Sequence, residues 1–93
     1  MQIVHKENEN KVLVLIDETE AGVLRYTIHK KYWSADSVVV SPDFRGQGIA
    51  GQLLNAFVEI LRAKGVKMLP VCSYVVKKSK ESTEYDDVLY KEN

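Results

Sequence analysis

Ninety-three residues carry thirteen basic and thirteen acidic side chains, a formal net charge of zero, so the broad positive field that draws proteins to DNA, RNA or anionic lipid is missing. The length supports one modest core, which predicts a single domain over residues 1–93. A single cysteine, Cys72, excludes an internal disulfide, no apolar run exceeds residues 12–16, and the N-terminus has no signal-peptide pattern, so the expectation is a cytoplasmic protein without nucleic-acid or membrane partners.

Strand patterns come first, at residues 2–5, 11–16 and 23–30, separated by the hairpin-sized polar breaks ENEN and DETEAG. In the third, Leu24, Tyr26 and Ile28 alternate with Arg25, Thr27 and His29, which predicts one face on a core and the other facing water or a ligand. A fourth strand, residues 36–40, ends at Ser41-Pro42, where proline removes a donor and restrains the residue before it.

Next comes SPDFRGQGIAG, in which Gly46, Gly48 and Gly51 crowd the start of the longest helix pattern. A glycine inside a helix costs about 1 kcal/mol relative to alanine, so their cost needs a return. After them Ile49, Leu53, Phe57 and Leu61 recur every fourth residue with Leu54 and Val58 beside them, while Gln52, Asn55, Glu59 and Arg62 take the other side. This amphipathic helix should stop near Lys64, with Gly65 as a left-handed cap.

A fifth strand follows from residue 66 to about Cys72. Pro70 cannot donate to a ladder, so this strand is either an edge or one that peels away from its neighbour, leaving backbone of residues 38–40 open to a ligand with its own amides. The polar tail from Lys77 keeps Tyr85, Val88, Leu89 and Tyr90 and should dock. Four consecutive strands, a helix and one more strand predict an α+β domain whose last two strands lie parallel across a helical crossover.

A strand, a short loop and a glycine-rich helix start present free backbone amides and the positive end of a helix dipole to one spot, an arrangement that suits phosphate. The plainer alternative gives Gly46 and Gly48 to a tight turn and Gly51 to close helix packing, and spacing alone does not separate the two. GQGIAG has the GxGxxG spacing of dinucleotide-binding loops, but hairpin strands precede it and the expected acidic position falls among residues 69–72. A P-loop string, GxxxxGK[ST], is absent from the sequence.

The stretch VVVSPDFRGQGIAGQLL, residues 38–54, resembles the coenzyme A-binding motif of the GNAT N-acyltransferase superfamily, whose [QR]xxGx[GA] signature reads here Arg45, Gly46, Gln47, Gly48, Ile49, Ala50. The resemblance implies a compact GNAT fold: a mixed, mainly antiparallel five-stranded sheet with one long helix and a short C-terminal helical segment. It implies acetyl-CoA as cofactor, its pyrophosphate on the loop amides and its pantetheine paired with backbone of Val38 and Val40 between splayed strands, which would explain Pro70. LPVCSYV at residues 69–75 and EYDDV at 84–88 extend the resemblance to a short GNAT-like family of about this length. Many of those relatives carry a His-Thr pair where this chain has Ser37-Val38, and some a histidine where it has Lys77.

Acyl transfer to an amine needs a bound thioester, a base for the incoming ammonium and a donor to the departing thiolate. The tyrosine-bearing NxxAxxxYxxxGF-like segment of larger GNAT enzymes has no counterpart after Cys72. By the resemblance Cys72 lies near the thioester, as transient nucleophile, thiol acid or packing residue, and Tyr74 is a candidate proton donor or a core residue. His5 and His29 sit on different strands and stay outside the candidate site, as do metal ligands, for which no spacing exists. Lys77, Lys78 and Lys80 are candidates for the coenzyme's ribose phosphate or a solvated face, and Tyr32 and Trp33 read as packing residues. The sequence therefore points to acetyl-CoA binding, with N-acetyl transfer to an unidentified amine, in a monomer or weak homodimer. Its rivals are a non-catalytic acyl-CoA-sensing module and an interaction domain without cofactor.

Overall fold

The computed structural model describes residues 1–91. Five strands, β1 (Gln2–Lys6), β2 (Lys11–Ile16), β3 (Thr19–Ile28), β4 (Trp33–Val40) and β5 (Met68–Pro70), form one sheet in chain order. The first four are antiparallel and β4 and β5 are parallel, joined by helix α1 (Ile49–Lys64). A second helix, α2 (Ser73–Glu81), follows β5.

The mixed sheet and crossover are those expected from the pattern, with the extents of β3, β4 and β5 changed most. β3 starts at Thr19 because the break DETEAG contains only a tight turn at Asp17 and Glu18, both at positive φ (50° and 65°). Such a turn has the hand that the twist of two joined strands requires. β4 starts at Trp33, whose ring stacks on Tyr26 with centroids 4.9 Å apart. β5 has three residues and not seven, since Pro70 ends it and the chain turns into α2. Leu24 and Tyr26 are buried as expected, but Ile28 is 52% exposed, because it is the last residue of β3 at the rim of the sheet.

Helix α1 lays Ile49, Leu53, Leu54, Phe57, Val58 and Leu61 against Val12, Val14, Leu24, Tyr26 and Ala35, all buried. It ends where Gly65 adopts φ 68° and returns its amide to Arg62 and Leu61. Val75 of α2 enters the same cluster, so both helices cover one face of the sheet. The opposite face carries Leu13, Val23 and Val39, aligned across three strands; Leu13 and Val23 are buried and Val39 is exposed, and among the described residues no helix lies on that face.

The docking tail is held by Arg62. Its guanidinium donates to both carboxylate oxygens of Asp87 (2.9 and 3.0 Å), to Glu59 (2.8 Å) and to the Glu84 carbonyl (3.0 Å). Tyr85 and Val88 are buried, the Tyr85 hydroxyl donates to Asn55 at 2.9 Å, and the Tyr90 amide donates to the Met68 carbonyl at 2.8 Å. Glu92 and Asn93, the last residues of that tail, lie outside the described residues. The hydrogen bonds from Arg62 hold the Asp87 carboxyl below its ordinary pKa. A lowered folded-state pKa means that the contribution is complete above the ordinary aspartate range and is lost as pH falls through the depressed value. Amide resonances of Val88 and Tyr90 should therefore move in that acidic window, and a tail unmoved there would show that apolar docking alone holds it.

Candidate functional site

The end of β4 is where the sheet comes apart. β5 pairs only with Trp33, Ser34 and Ala35; the Ala35 carbonyl then accepts from both the Val71 amide (3.1 Å) and the Cys72 amide (2.9 Å), and α2 begins at the next residue. Residues 36–40 of β4 face no strand on that side. Pro70 thus answers to both expected descriptions, since β5 is an edge strand and also departs from its neighbour there.

Hydrogen-bond phase decides which groups of β4 face the gap. The Ser41 amide donates to the Ala21 carbonyl at 2.8 Å, so Ser41 and Ala21 form a bonded antiparallel pair. Bonded and non-bonded pairs alternate along such a ladder, so Val39 and Ser37 point their backbone groups toward β3. Val38 and Val40 point theirs into the gap, while their side chains pack against the core. Asp36 is the extra residue of a bulge, for Ala35 pairs with Tyr26 and Ser37 with Arg25. The bulge falls at the level where β5 leaves.

Beyond Val40 the chain makes a 3-10 turn at Pro42–Phe44 and enters α1 through Gly46 (φ 79°) and Gly48 (φ 74°). Gly48 is the N-cap of α1 and no side chain caps the helix. Among the described residues the backbone nitrogens of residues 46–51 have no protein acceptor. All of these residues except Gln47 border a recess of about 280 Å³, lined also by Val40, Phe44, Arg45, Tyr74 and Lys78. Positive backbone angles, unpaired amides and a helix N-terminus together suit an anion carrying several oxygens.

A β-carbon at Gly46 or Gly48 would meet nothing within 4 Å, so their requirement is the left-handed backbone and not space. At Gly51 the nearest atom to such a carbon is the Tyr74 hydroxyl at 3.8 Å, an ordinary contact, so the packing role expected of Gly51 is absent. That role belongs to Gly22, where a β-carbon would come within 2.8 Å of Ile49 Cγ2, 3.1 Å of Leu53 Cδ1 and 3.2 Å of the Val39 carbonyl. Gly22 is the seat on which the first turn of α1 rests. A glycine inside a strand signals such close approach, but in the sequence Gly22 closes the polar break DETEAG and reads as part of a turn.

Arg45 and Gln47 are exposed, and of the two only Arg45 lines the recess. The Ile49 side chain is buried in the core, leaving its amide as its only group toward the recess. Tyr74 turns its ring toward the first turn of α1, with Lys78 Nζ 5.8 Å from the ring centroid. Of the three tail lysines only Lys78 lines the recess. Cys72 is half-buried at the parting of the strands and does not line it. His5 bonds to the Tyr26 hydroxyl at 2.7 Å and Trp33 is buried, so both serve packing. Among the described residues no His, Cys, Asp and Glu side chains gather in a group fit to hold a metal ion, and no helix is long and apolar enough to cross a membrane.

The sequence matches the model of a family described as GCN5-related N-acetyl-transferase over residues 11–88. In structure it is similar to a candidate GCN5-like N-acetyltransferase from Staphylococcus aureus, with a TM-score of 0.77 and 26% identity over 99% of this chain and 90% of that one. It is also similar to the ribosomal-protein-S18-alanine N-acetyltransferase of Escherichia coli, with a TM-score of 0.63 and 18% identity over 71% of this chain and 43% of the other. An aminoglycoside N-acetyltransferase, AAC(6')-Iy, solved with CoA, gives a TM-score of 0.57 and 18% identity over 88% of this chain and 67% of its own length. No curated protein matches the sequence.

Proposed function

Since the chain belongs to the GCN5-related N-acetyl-transferase family, we propose that it binds acetyl-CoA between the recess and the parted strands and transfers the acetyl group to an amine. The observation that carries this reading is the pairing of unsatisfied amides at residues 46–51 with an unpaired edge on Val38 and Val40 a few residues earlier in the chain. One site offers donors for a diphosphate, and the adjoining edge offers donors and acceptors for an amide-bearing arm. The residues therefore suit both polar parts of the coenzyme.

In this reading the amides of Gly46, Gln47, Gly48, Ile49 and Ala50 hold the diphosphate, with the cations of Arg45 and Lys78 beside it. Backbone of Val38 and Val40 would hold the amides of the pantetheine arm as a further strand would be held, next to Ala35 and Cys72. Bound there, the thioester supplies an acetyl group activated for attack by an amine. Core packing on one side shields the arm from water, and the bare sheet face leaves the acyl end accessible from the other. Cys72 is the thiol nearest the point where β4 and β5 separate, and it protonates the departing thiolate or transiently accepts the acyl group. Tyr74, whose hydroxyl lies beside Gly51 in the recess, would donate to the diphosphate and not to the thiolate.

The direct test is thermal denaturation with acetyl-CoA, coenzyme A and NAD, joined to turnover with a panel of amines. Stabilisation by both coenzyme A forms and not by NAD, with acetylated amine as product, is the expected result. A response to NAD with coenzyme A silent would reject the site. A sensing module is the second reading, favoured by the bare acceptor side; it predicts acetyl-CoA affinity with neither turnover nor an acyl adduct on Cys72. Cys72→Ala should lower turnover by about a hundredfold, the scale of a lost acid or base, and leave the coenzyme-induced rise in melting temperature in place. Unchanged turnover would reduce Cys72 to a packing residue.

A further inference from the structure

On the face of the sheet opposite the helices, a chain of polar side chains ends at the bulge of β4. His29 Nε2 donates to Ser34 Oγ at 2.9 Å, and Ser34 Oγ donates to Asp36 Oδ1 at 2.7 Å. Thr27, the cross-strand partner of Ser34, donates its hydroxyl to Asp36 Oδ2. Ser34 is only 4% exposed, the single buried polar residue of the described core, and both its side-chain hydrogen bonds belong to this chain of groups. The His29 ring stacks on Tyr32 with centroids 4.8 Å apart, and Tyr32 packs on Tyr90 at 4.6 Å.

Both oxygens of Asp36 are oriented by neutral hydroxyls. Among the described residues it forms no ion pair, although Arg25 stands nearby on the same face. A carboxylate fixed by two hydroxyl donors is held in one orientation and has lone pairs left for a cation. Its position is equally specific. Asp36 follows Ala35, whose carbonyl takes the Val71 and Cys72 amides where the strands separate. Both helices cover the other face, so a second substrate reaching that point must come from the side on which Asp36 and its hydroxyl partners lie. A carboxylate without a cationic partner favours an ammonium group over a neutral or anionic one.

We infer that Asp36 is the docking point of the acceptor and that the acceptor is a cationic amine approaching over the bare face of the sheet. This rests on the acetyl-CoA reading of the neighbouring gap. Ser34 and Thr27 are positioning residues that aim the carboxylate, and His29 fixes Ser34. Acceptors with a carboxylate close to the amine are rejected, because Asp36 repels them.

Amide and imidazole NMR on the whole protein with coenzyme A present tests the inference, using N-acetyl-lysine methylamide and its uncharged counterpart N-acetyl-norleucine methylamide as probes. The lysine probe should shift Ser34, Asp36 and the His29 ring, and the norleucine probe should not. Asp36→Asn should weaken the lysine probe about tenfold, the scale of one charge-assisted hydrogen bond, and leave coenzyme A binding intact. The comparison of the two probes needs no variant, so it stands even if Asp36→Asn fails to fold. Equal shifts from both probes, shifts elsewhere, or none at these residues, with the coenzyme response intact, overturn the inference alone. Loss of the coenzyme response overturns it together with the reading beneath it.

Discussion

Replacing Gly48 with glutamate is expected to abolish the proposed coenzyme A response and to leave the domain folded. Gly48 holds φ 74° at the N-cap of α1, and its substituted β-carbon would point into space with nothing within 4 Å. The structural cost is therefore one non-glycine residue in the left-handed region, about 1–2 kcal/mol, with a partial offset from a carboxylate at the positive end of the helix. The binding cost is far larger. A fixed negative charge enters the ring of amides proposed to hold a diphosphate, and affinity should fall by at least about a hundredfold, ~2.8 kcal/mol. Gly48→Ala serves as control, since it carries the backbone cost without the charge. Calorimetric titration on both variants, with circular dichroism to verify the fold, makes the comparison. Unchanged affinity in the glutamate variant would move the anion site elsewhere.

Gly22→Val is expected to damage stability and binding together. No positive φ is needed at Gly22; the constraint is steric, with Ile49 Cγ2 2.8 Å from the site of the first added carbon and the Val39 carbonyl at 3.2 Å. Ile49 is branched and packed in the core, so it cannot swing aside, and valine adds two further carbons. Overpacking of this kind costs about 1–3 kcal/mol, and in a domain of this size each kcal/mol lowers the melting temperature by roughly 4–8 °C. Ile49 is also the first residue of α1, so displacing it moves the amides of residues 46–50 off the end of β4. Melting temperature and coenzyme affinity should therefore fall in parallel, unlike the Gly48 variant, where only affinity collapses. A destabilised variant with full affinity would show that the helix entry does not depend on its seat.

Helix α1 was the most legible element, because six buried apolar residues at helical spacing and a glycine cap leave one solution. The hairpins were legible in number but not in extent, since a polar break does not show that only Asp17 and Glu18 turn while Thr19 and Glu20 already pair. Pro70 announced the separation of β4 and β5 because proline cannot donate, and the motif at Arg45–Ala50 located the amides that go with it. Three features escaped the sequence. Gly22 was hidden because its constraint comes from a helix about 27 residues further along the chain. His29, Ser34 and Asp36 belong to one polar chain because β4 already starts at Trp33 and sets Ser34 opposite Thr27, whereas the sequence pattern shows that strand only from residue 36. Lys78 became distinct from Lys77 and Lys80 only through the face of α2 on which it falls.

A sheet with an unfilled rung behaves unlike a closed one. Any molecule that seats along residues 36–40 of β4 supplies the missing strand, and its binding free energy becomes part of the energy holding the polypeptide together. At a hundredfold excess over its dissociation constant that contribution is about 2.7 kcal/mol, a sizeable share of the margin by which a small domain stays folded. The abundance of such a protein would then track the supply of its ligand, rising when the ligand is plentiful and falling to proteolysis when it is scarce.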